Sequence, residues 1–214
     1  STALGISDRH SGTPSSYEVL LGEIPVKEAV RQSPHSPLLY CVPATIDLAG
    51  AEIELVSMVA RENRLRNALA ELDEMDFDYV FIDCPPSLGL LTLNALVAAP
   101  EVLIPIQCEY YALEGVSQLM KNIGMVKAHL NPRLDVSTVV LTMYDGRTKL
   151  ADQVASEVRR FFGDKVLNTV IPRSVKVSEA PGYGMTIIDY DPGSRGAMSY
   201  LDASRELAYR PIPD

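Results

Sequence analysis

The stretch Phe77-Asp78-Tyr79-Val80-Phe81-Ile82-Asp83-Cys84-Pro85-Pro86 decides how this chain is read. Tyr79–Ile82 is continuously apolar over a strand's length, the pattern of a parallel strand buried on both faces by helices. Asp83 closes the run. In open α/β sheets, ligands bind beyond the carboxyl ends of the strands, so an acid there faces a ligand crevice. A hard cation such as Mg²⁺ takes oxygen ligands and keeps several waters, so one carboxylate is a sufficient protein contribution. Pro85 and Pro86 donate no amide hydrogens and disfavour an immediate helix, which predicts an extended loop. An acid that merely caps a strand end gives the same local pattern, and this stretch alone leaves both readings open.

Outward from that run, apolar segments and helical periodicities alternate, as βαβ units require. Leu38–Val42 reads as a short strand, Ile46–Val56 and Arg61–Met75 as helices. The second of these places Leu65, Ala68, Leu69 and Leu72 on one face. Leu88–Ala99 is an apolar helix, Val102–Ile106 a further buried strand ended by Gln107, and Ala112–Leu130 a long helix. Val136–Met143 is a strand rich in β-branched residues. Leu150–Phe162 is an amphipathic helix striped by Val154, Val158 and Phe161, and Val166–Ile171 is a strand stopped by Pro172. Pro192–Tyr209 is the last helix, with Asp191 at its N-cap and Pro192 first. Near the start, Tyr17–Leu21 and Val26–Arg31 are short helices in a polar region. No repeat and no second domain is visible. The expected fold is α/β, a doubly wound and mainly parallel sheet with helices on both faces, in one domain over residues 1–214.

Bulk properties narrow the function. Of 214 residues, 47% are apolar and 22% charged, which excludes a disordered chain. A net charge of −9 excludes a protein coated in DNA; nucleic acid would need a local basic patch. Cys41, Cys84 and Cys108 lack CxxC spacing and read as buried free thiols. His10, His35 and His129 follow no ligand pattern, so no zinc site is expected. There is no apolar run of membrane-spanning length.

The longer string Asp83-Cys84-Pro85-Pro86-Ser87-Leu88-Gly89-Leu90-Leu91-Thr92 resembles the Walker B segment of the ParA/Soj partitioning ATPases, the deviant-Walker group that also contains MinD. Pro43-Ala44-Thr45-Ile46-Asp47-Leu48-Ala49-Gly50-Ala51-Glu52 is similar to that family's upstream segment. Pro105-Ile106-Gln107-Cys108-Glu109-Tyr110-Tyr111-Ala112-Leu113-Glu114-Gly115 is similar to the one after its next strand. Ile171-Pro172-Arg173, Ser178-Glu179-Ala180-Pro181 and Tyr190-Asp191-Pro192-Gly193-Ser194-Arg195-Gly196 resemble its C-terminal signatures. The resemblance covers nearly the whole chain, in the family's order, and favours the ParA/Soj branch over MinD.

The resemblance implies a P-loop NTPase-like fold and a set of roles. Asp83 becomes the Mg²⁺-side acid. Arg173 and Ser174 lie near the adenine. Arg147, Arg173 and Lys176 bind double-stranded DNA without sequence preference. The family works as a homodimer closed by ATP and Mg²⁺, regulated by a ParB-type protein, cytoplasmic and nucleoid-associated. Glu109 and Glu114 flank a helix start and read either as caps or as residues near the dimer interface. Arg159 and Arg160 either extend the basic patch or sit on a solvated helix face. The last helix mixes Arg195, Asp202, Arg205 and Glu206, unlike a basic membrane anchor, so no membrane role is expected.

One family signature is absent. The phosphate loop reads approximately Lys-Gly-Gly-x-Gly-Lys-Thr, with amides and lysines cradling the phosphates. None of Lys27, Lys121, Lys127, Lys149, Lys165 and Lys176 follows a glycine. The chain opens on Ser1-Thr2-Ala3-Leu4-Gly5-Ile6, which resembles the family's sequence after its second acidic strand end. The expectation is a fold incomplete at its N-terminus, with an apolar sheet edge exposed, and a chain that alone binds no nucleotide and is inactive. A non-catalytic DNA- or partner-binding module on the same fold is the alternative.

Overall fold

In the computed structural model, residues 2–6, 13–85, 87, 89–110 and 112–210 are described, without the side chains of residues 112–114. The expectations for Ser1, His10, Pro86, Leu88, Tyr111 and the Glu114 side chain lie outside this set. The chain divides into two compact units, residues 1–100 with 125–134, and residues 101–124 with 135–214.

The first unit is mostly helical. Helix α1 (Ser16–Leu21) starts on a capping box, in which Ser15 N–H donates to Glu18 Oε2 at 2.9 Å and Ser15 Oγ accepts from Tyr17 N–H at 3.2 Å. It ends at Gly22 with φ 73°, and Arg64 donates to the carbonyls of Leu20, at 3.0 Å, and Leu21. That guanidinium fills the space a Cβ at Gly22 would need. Helix α2 (Val26–Ala29) leads into β1 (Arg31–Gln32), which pairs antiparallel with β2 (Tyr40–Cys41). Helix α2 stops at Ala29 where the sequence suggested helix to Arg31, and β2 spans two residues where it suggested a strand over Leu38–Val42. Helices α3 (Leu48–Leu55) and α4 (Arg64–Leu69) follow, α4 flanked by 3₁₀ turns over Arg61–Asn63 and Ala70–Met75. Val19, Val26, Ala29 and Leu72 form a core here, with Leu69, Ala68 and Phe77 against it. Helix α5 (Leu90–Ala98) is held by a buried residue: Asn94 Nδ2 donates to Arg61 O and Leu90 O, both at 2.9 Å, and its Oδ1 accepts from Leu65 N–H at 3.1 Å.

The expected strand at Tyr79–Ile82 does not form. The segment pairs with no described strand, and Tyr79 and Phe81 are exposed, their rings stacked at 6.2 Å. An apolar run becomes a strand only when neighbours satisfy its backbone N–H and C=O groups. With no described ladder on either side, hydrophobicity alone does not make it a strand.

The second unit carries the parallel sheet in the order β3 (Glu101–Gln107), β4 (Asp135–Tyr144), β5 (Val166–Pro172). Long helix α6 (Ala112–His129) precedes β4, and α7 (Lys149–Phe162) connects β4 to β5. Strand β3 buries Ile104 and Ile106 but leaves Pro105 and Leu103 exposed, so only one face is covered where two were expected. It is an edge strand, where proline is tolerated. On α7 the buried stripe is Ala151, Val154, Val158 and Phe162, at helical spacing. Phe161, expected on that stripe, is exposed and meets Phe162 edge-on.

Short helices α8 (Val175–Glu179) and α9 (Ile187–Tyr190) precede α10 (Arg195–Ala208). The cap of α10 is Ser194, whose Oγ accepts from Ala197 N–H at 3.2 Å, and not Asp191. Asp191 is taken by Lys176 instead, and its carbonyl receives Ser194 N–H in a turn. Ala203 of α10 packs with Leu167 and Ile171 of β5. Glu206 closes the free edge of that strand, accepting from Asn168 N–H at 2.6 Å and Thr169 N–H at 3.0 Å.

Candidate functional site

Within the second unit, the loops beyond the carboxyl ends of β3, β4 and β5 gather charged side chains. Met143, near the end of β4, has φ 53°, a left-handed conformation unusual for its type. The turn after it is built by Asp145. Thr148 N–H donates to Asp145 O at 3.0 Å, and Thr148 Oγ1 then caps α7 by accepting from Ala151 N–H at 3.3 Å. Asp145 Oδ1 accepts from Arg147 N–H at 3.1 Å and from Nε at 2.9 Å, while Oδ2 accepts from a terminal guanidinium nitrogen at 2.8 Å. This fork holds the Asp145 carboxyl down at about 2, with the nearby Arg173 charge adding to it.

Arg173 follows β5. Its N–H donates to Tyr144 O at 3.0 Å, extending the ladder by one bond, and its guanidinium pairs with Glu109, just past β3. Glu109 and Arg173 thus tie the ends of β3 and β5, and the Asp145–Arg147 pair lies close enough for the Arg173 charge to act on it. Ser174, half-buried, is the N-terminal flank of α8 and makes no side-chain cap. Lys176 stands apart from this group, its ammonium bound to Asp191, which raises its pKa. The structure therefore brings Arg147 and Arg173 together around Asp145 and leaves Lys176 beside a different acid. Of the further cations considered, Arg159 donates to Asn168 O at 3.2 Å and Arg160 pairs with Glu157 at 2.9 Å.

In the first unit, Asp83 is exposed, beyond a run that is not a strand. Cys84 beside it is exposed rather than buried, Cys41 is half-buried, and only Cys108 is enclosed. Burial raises the Cys108 thiol. Among the described residues no group of three or more His, Cys, Asp or Glu side chains gathers to hold a metal.

The 214 residues contain no phosphate-binding loop for a nucleotide with Mg²⁺. No Gly-Lys-Thr/Ser occurs in the sequence, since none of its six lysines follows a glycine. At the start of α5, Glu52 lies against Gly89: its Oε1 is buried without a hydrogen-bond partner and would sit 1.7 Å from a Cβ placed on Gly89. A carboxylate there opposes an anion at that helix end.

Comparison with known proteins identifies the lineage. A family model described as an AAA domain matches residues 1–136. The sporulation initiation inhibitor protein Soj of Bacillus subtilis is 53% identical over 192 residues, spanning 90% of this chain and 75% of that protein. The chromosome partitioning protein ParA of Myxococcus xanthus is 51% identical over 213 residues, 99% of this chain and 74% of that protein. The chain belongs to the ParA/Soj family. Among solved structures, the cobyrinic acid a,c-diamide synthase of Mycobacterium smegmatis with bound ADP and magnesium is 38% identical with a TM-score of 0.76, covering 94% of this chain and 76% of that one. The cell division ATPase MinD of Pyrococcus furiosus is 25% identical with a TM-score of 0.75, covering 97% and 79%. The fold of this ParA/Soj chain is accordingly the α/β architecture of the P-loop NTPases. Among the described residues no helix is long and apolar enough to cross a membrane.

Sequence reading singled out Glu109 but paired none of the acids of the site with its cations. In the sequence, Asp145-Gly146 signals a turn, and nothing marks Asp145 as the partner of Arg147. Glu109 and Arg173 are 64 positions apart, and nothing local in the sequence pairs them.

Proposed function

We propose that these 214 residues are one domain of a ParA/Soj-type DNA-partitioning ATPase, carrying its DNA-facing rim but no phosphate-binding loop. The observation that carries this reading is the 51% identity, over 99% of the chain, with a protein named for chromosome partitioning. In the full-length protein, by this reading, an ATP-closed homodimer holds nucleoid DNA without sequence preference, and a ParB-type partner triggers release in the cytoplasm. Asp83 serves the Mg²⁺ side there, and Arg173 with Ser174 the adenine side. When bound, ATP·Mg²⁺ supplies the phosphoryl group that is hydrolysed. This chain's own contribution is cationic: Arg147, Arg173 and Lys176 present guanidinium and ammonium groups to backbone phosphates, which makes retention fall steeply with salt.

The missing Gly-Lys-Thr/Ser supports a chain that hydrolyses no ATP alone. The alternative, a non-catalytic DNA- or partner-binding module, draws on the same observation. Two measurements test the proposal. Calorimetric titration with ATP·Mg²⁺ is expected to give no heat of binding, and phosphate release is expected at the buffer rate. In the full-length protein with ATP·Mg²⁺, duplex DNA retained at low salt is expected to be lost in Arg147→Ala while nucleotide binding is kept. ATP turnover by the 214 residues, or unchanged retention in Arg147→Ala, refutes the respective half.

A further inference from the structure

Each of the three cations assigned to DNA is already occupied by a carboxylate of this chain. Arg147 is forked by Asp145, Arg173 is paired with Glu109, and Lys176 is bound by Asp191. The pairs differ in how they are built. The Asp145 side chain is 22% exposed and is held in the turn by the backbone N–H of Arg147 at 3.1 Å, whereas the Arg147 side chain is 88% exposed. The acid is anchored in the turn and the base reaches outward. Lys176 and Asp191 repeat that asymmetry, with side-chain exposures of 59% and 25%. Arg173 and Glu109 are equally half-exposed and tie two strand ends.

We infer that Asp145, Glu109 and Asp191 are intrinsic competitors for the DNA phosphates: a phosphodiester engages Arg147, Arg173 and Lys176 only by displacing a carboxylate that already holds each one. The inference rests on the proposed DNA-binding role of these three cations and adds acids that set its strength. The chemistry follows from charge matching. A carboxylate and a phosphate offer the same paired oxygens to a guanidinium, so the two exclude each other at its fork edge. The exchange is accessible because exposed ion pairs are individually weak. It also lowers the number of DNA counterions released, since a cation already neutralised gives less net charge to the duplex. Such a rim binds DNA weakly and releases it readily, which suits a surface that must let go.

The test compares Asp145→Asn, Glu109→Gln, Asp191→Asn and the triple variant with the unsubstituted protein, all as full-length chains in ATP·Mg²⁺. Binding to a fluorescent duplex of mixed sequence is followed by anisotropy across a series of KCl concentrations from low to near-physiological. Asp164→Asn, an exposed acid elsewhere on the same unit, controls for the loss of one negative charge. Each single substitution is expected to tighten binding about two- to five-fold beyond that control, the range corresponding to an exposed ion pair. The slope of log K against log[KCl] is expected to steepen by about one per freed cation. Adding Arg147→Ala to Asp145→Asn is expected to cancel the gain. Binding that is unchanged, weaker or absent in all the acid variants overturns the inference; weaker binding in Asp145→Asn would make that acid a positioning residue for Arg147. Arg147→Ala alone separates the two levels. If it retains DNA fully, the DNA-binding reading fails; if it loses DNA while Asp145→Asn gains nothing, only the competition fails.

Discussion

Asn94→Ala is expected to loosen the join between α5, the helix that follows the Asp83 segment, and the turn before α4. The side chain is fully buried and its amide meets three backbone groups: Arg61 O and Leu90 O accept from Nδ2, and Leu65 N–H donates to Oδ1. Leu90 O lies one helical turn before Asn94 and has the backbone N–H as an alternative partner. The cost therefore falls on the Arg61 carbonyl and the Leu65 amide, which lose their side-chain partner. At about 1–2 kcal/mol for each such group, the variant loses roughly 2–4 kcal/mol. For a chain of this length that lowers Tm by about 4–16 °C. Thermal unfolding followed by circular dichroism reads the shift, and hydrogen exchange reads the local opening at Leu65. Asn94→Asp separates hydrogen bonding from cavity formation. It keeps the acceptor for Leu65 N–H but aims a carboxylate at two carbonyls, so it is expected to be at least as damaging as alanine. A folded Asn94→Ala protein melting within about 2 °C of the parent would refute the reasoning.

The Asp145 carboxyl is held at about 2 by Arg147, below an unfolded value of about 3.9. Its contribution to stability is thus complete above the unfolded value and is lost as pH falls through about 2; a carboxyl-carbon NMR titration centred near the unfolded value would contradict the fork. Glu206→Ala is expected to uncover the outer edge of β5 and cost about 1–3 kcal/mol for two charge-assisted bonds to backbone amides; undiminished exchange protection of Asn168 and Thr169 would show that another group closes that edge.

Much of the second unit was readable from pattern alone because its signals are redundant. Val136–Met143 is β-branched and Val166–Ile171 stops at a proline, so β4 and β5 lie within a residue or two of expectation. Leu150–Phe162 lies within one residue of α7, but Phe161 and Phe162 stand three and four positions beyond Val158, on either side of the ~3.6-residue repeat, and only Phe162 is buried. The start of α10 was misplaced for a comparable reason. Asp191-Pro192 and Ser194 are both good helix-start signals, and an ion pair with Lys176, invisible locally, drew Asp191 away from capping. The basic half of the candidate site was legible through family resemblance. Its acidic half was not, because ion pairs across strand ends leave no periodicity.

The contrast between Tyr79–Ile82 and Ile104–Ile106 locates the limit of such reading. Both are apolar runs of strand length. The second pairs with β4 over Glu101–Gln107 and is ordered by that single ladder, even with its other side open. The first pairs with no described strand and leaves Tyr79, Val80 and Phe81 exposed. Hydrophobicity specifies that a segment should be covered, but the backbone ladder specifies that it is a strand, and the ladder belongs to the neighbour. The same logic governs the chemistry. An acid after an apolar run acquires a metal-side role only when a strand fixes it at the rim of a sheet. For Asp83 that role depends on pairing that the described residues do not supply, whereas the rim at β3, β4 and β5 is built from ladders the chain forms itself.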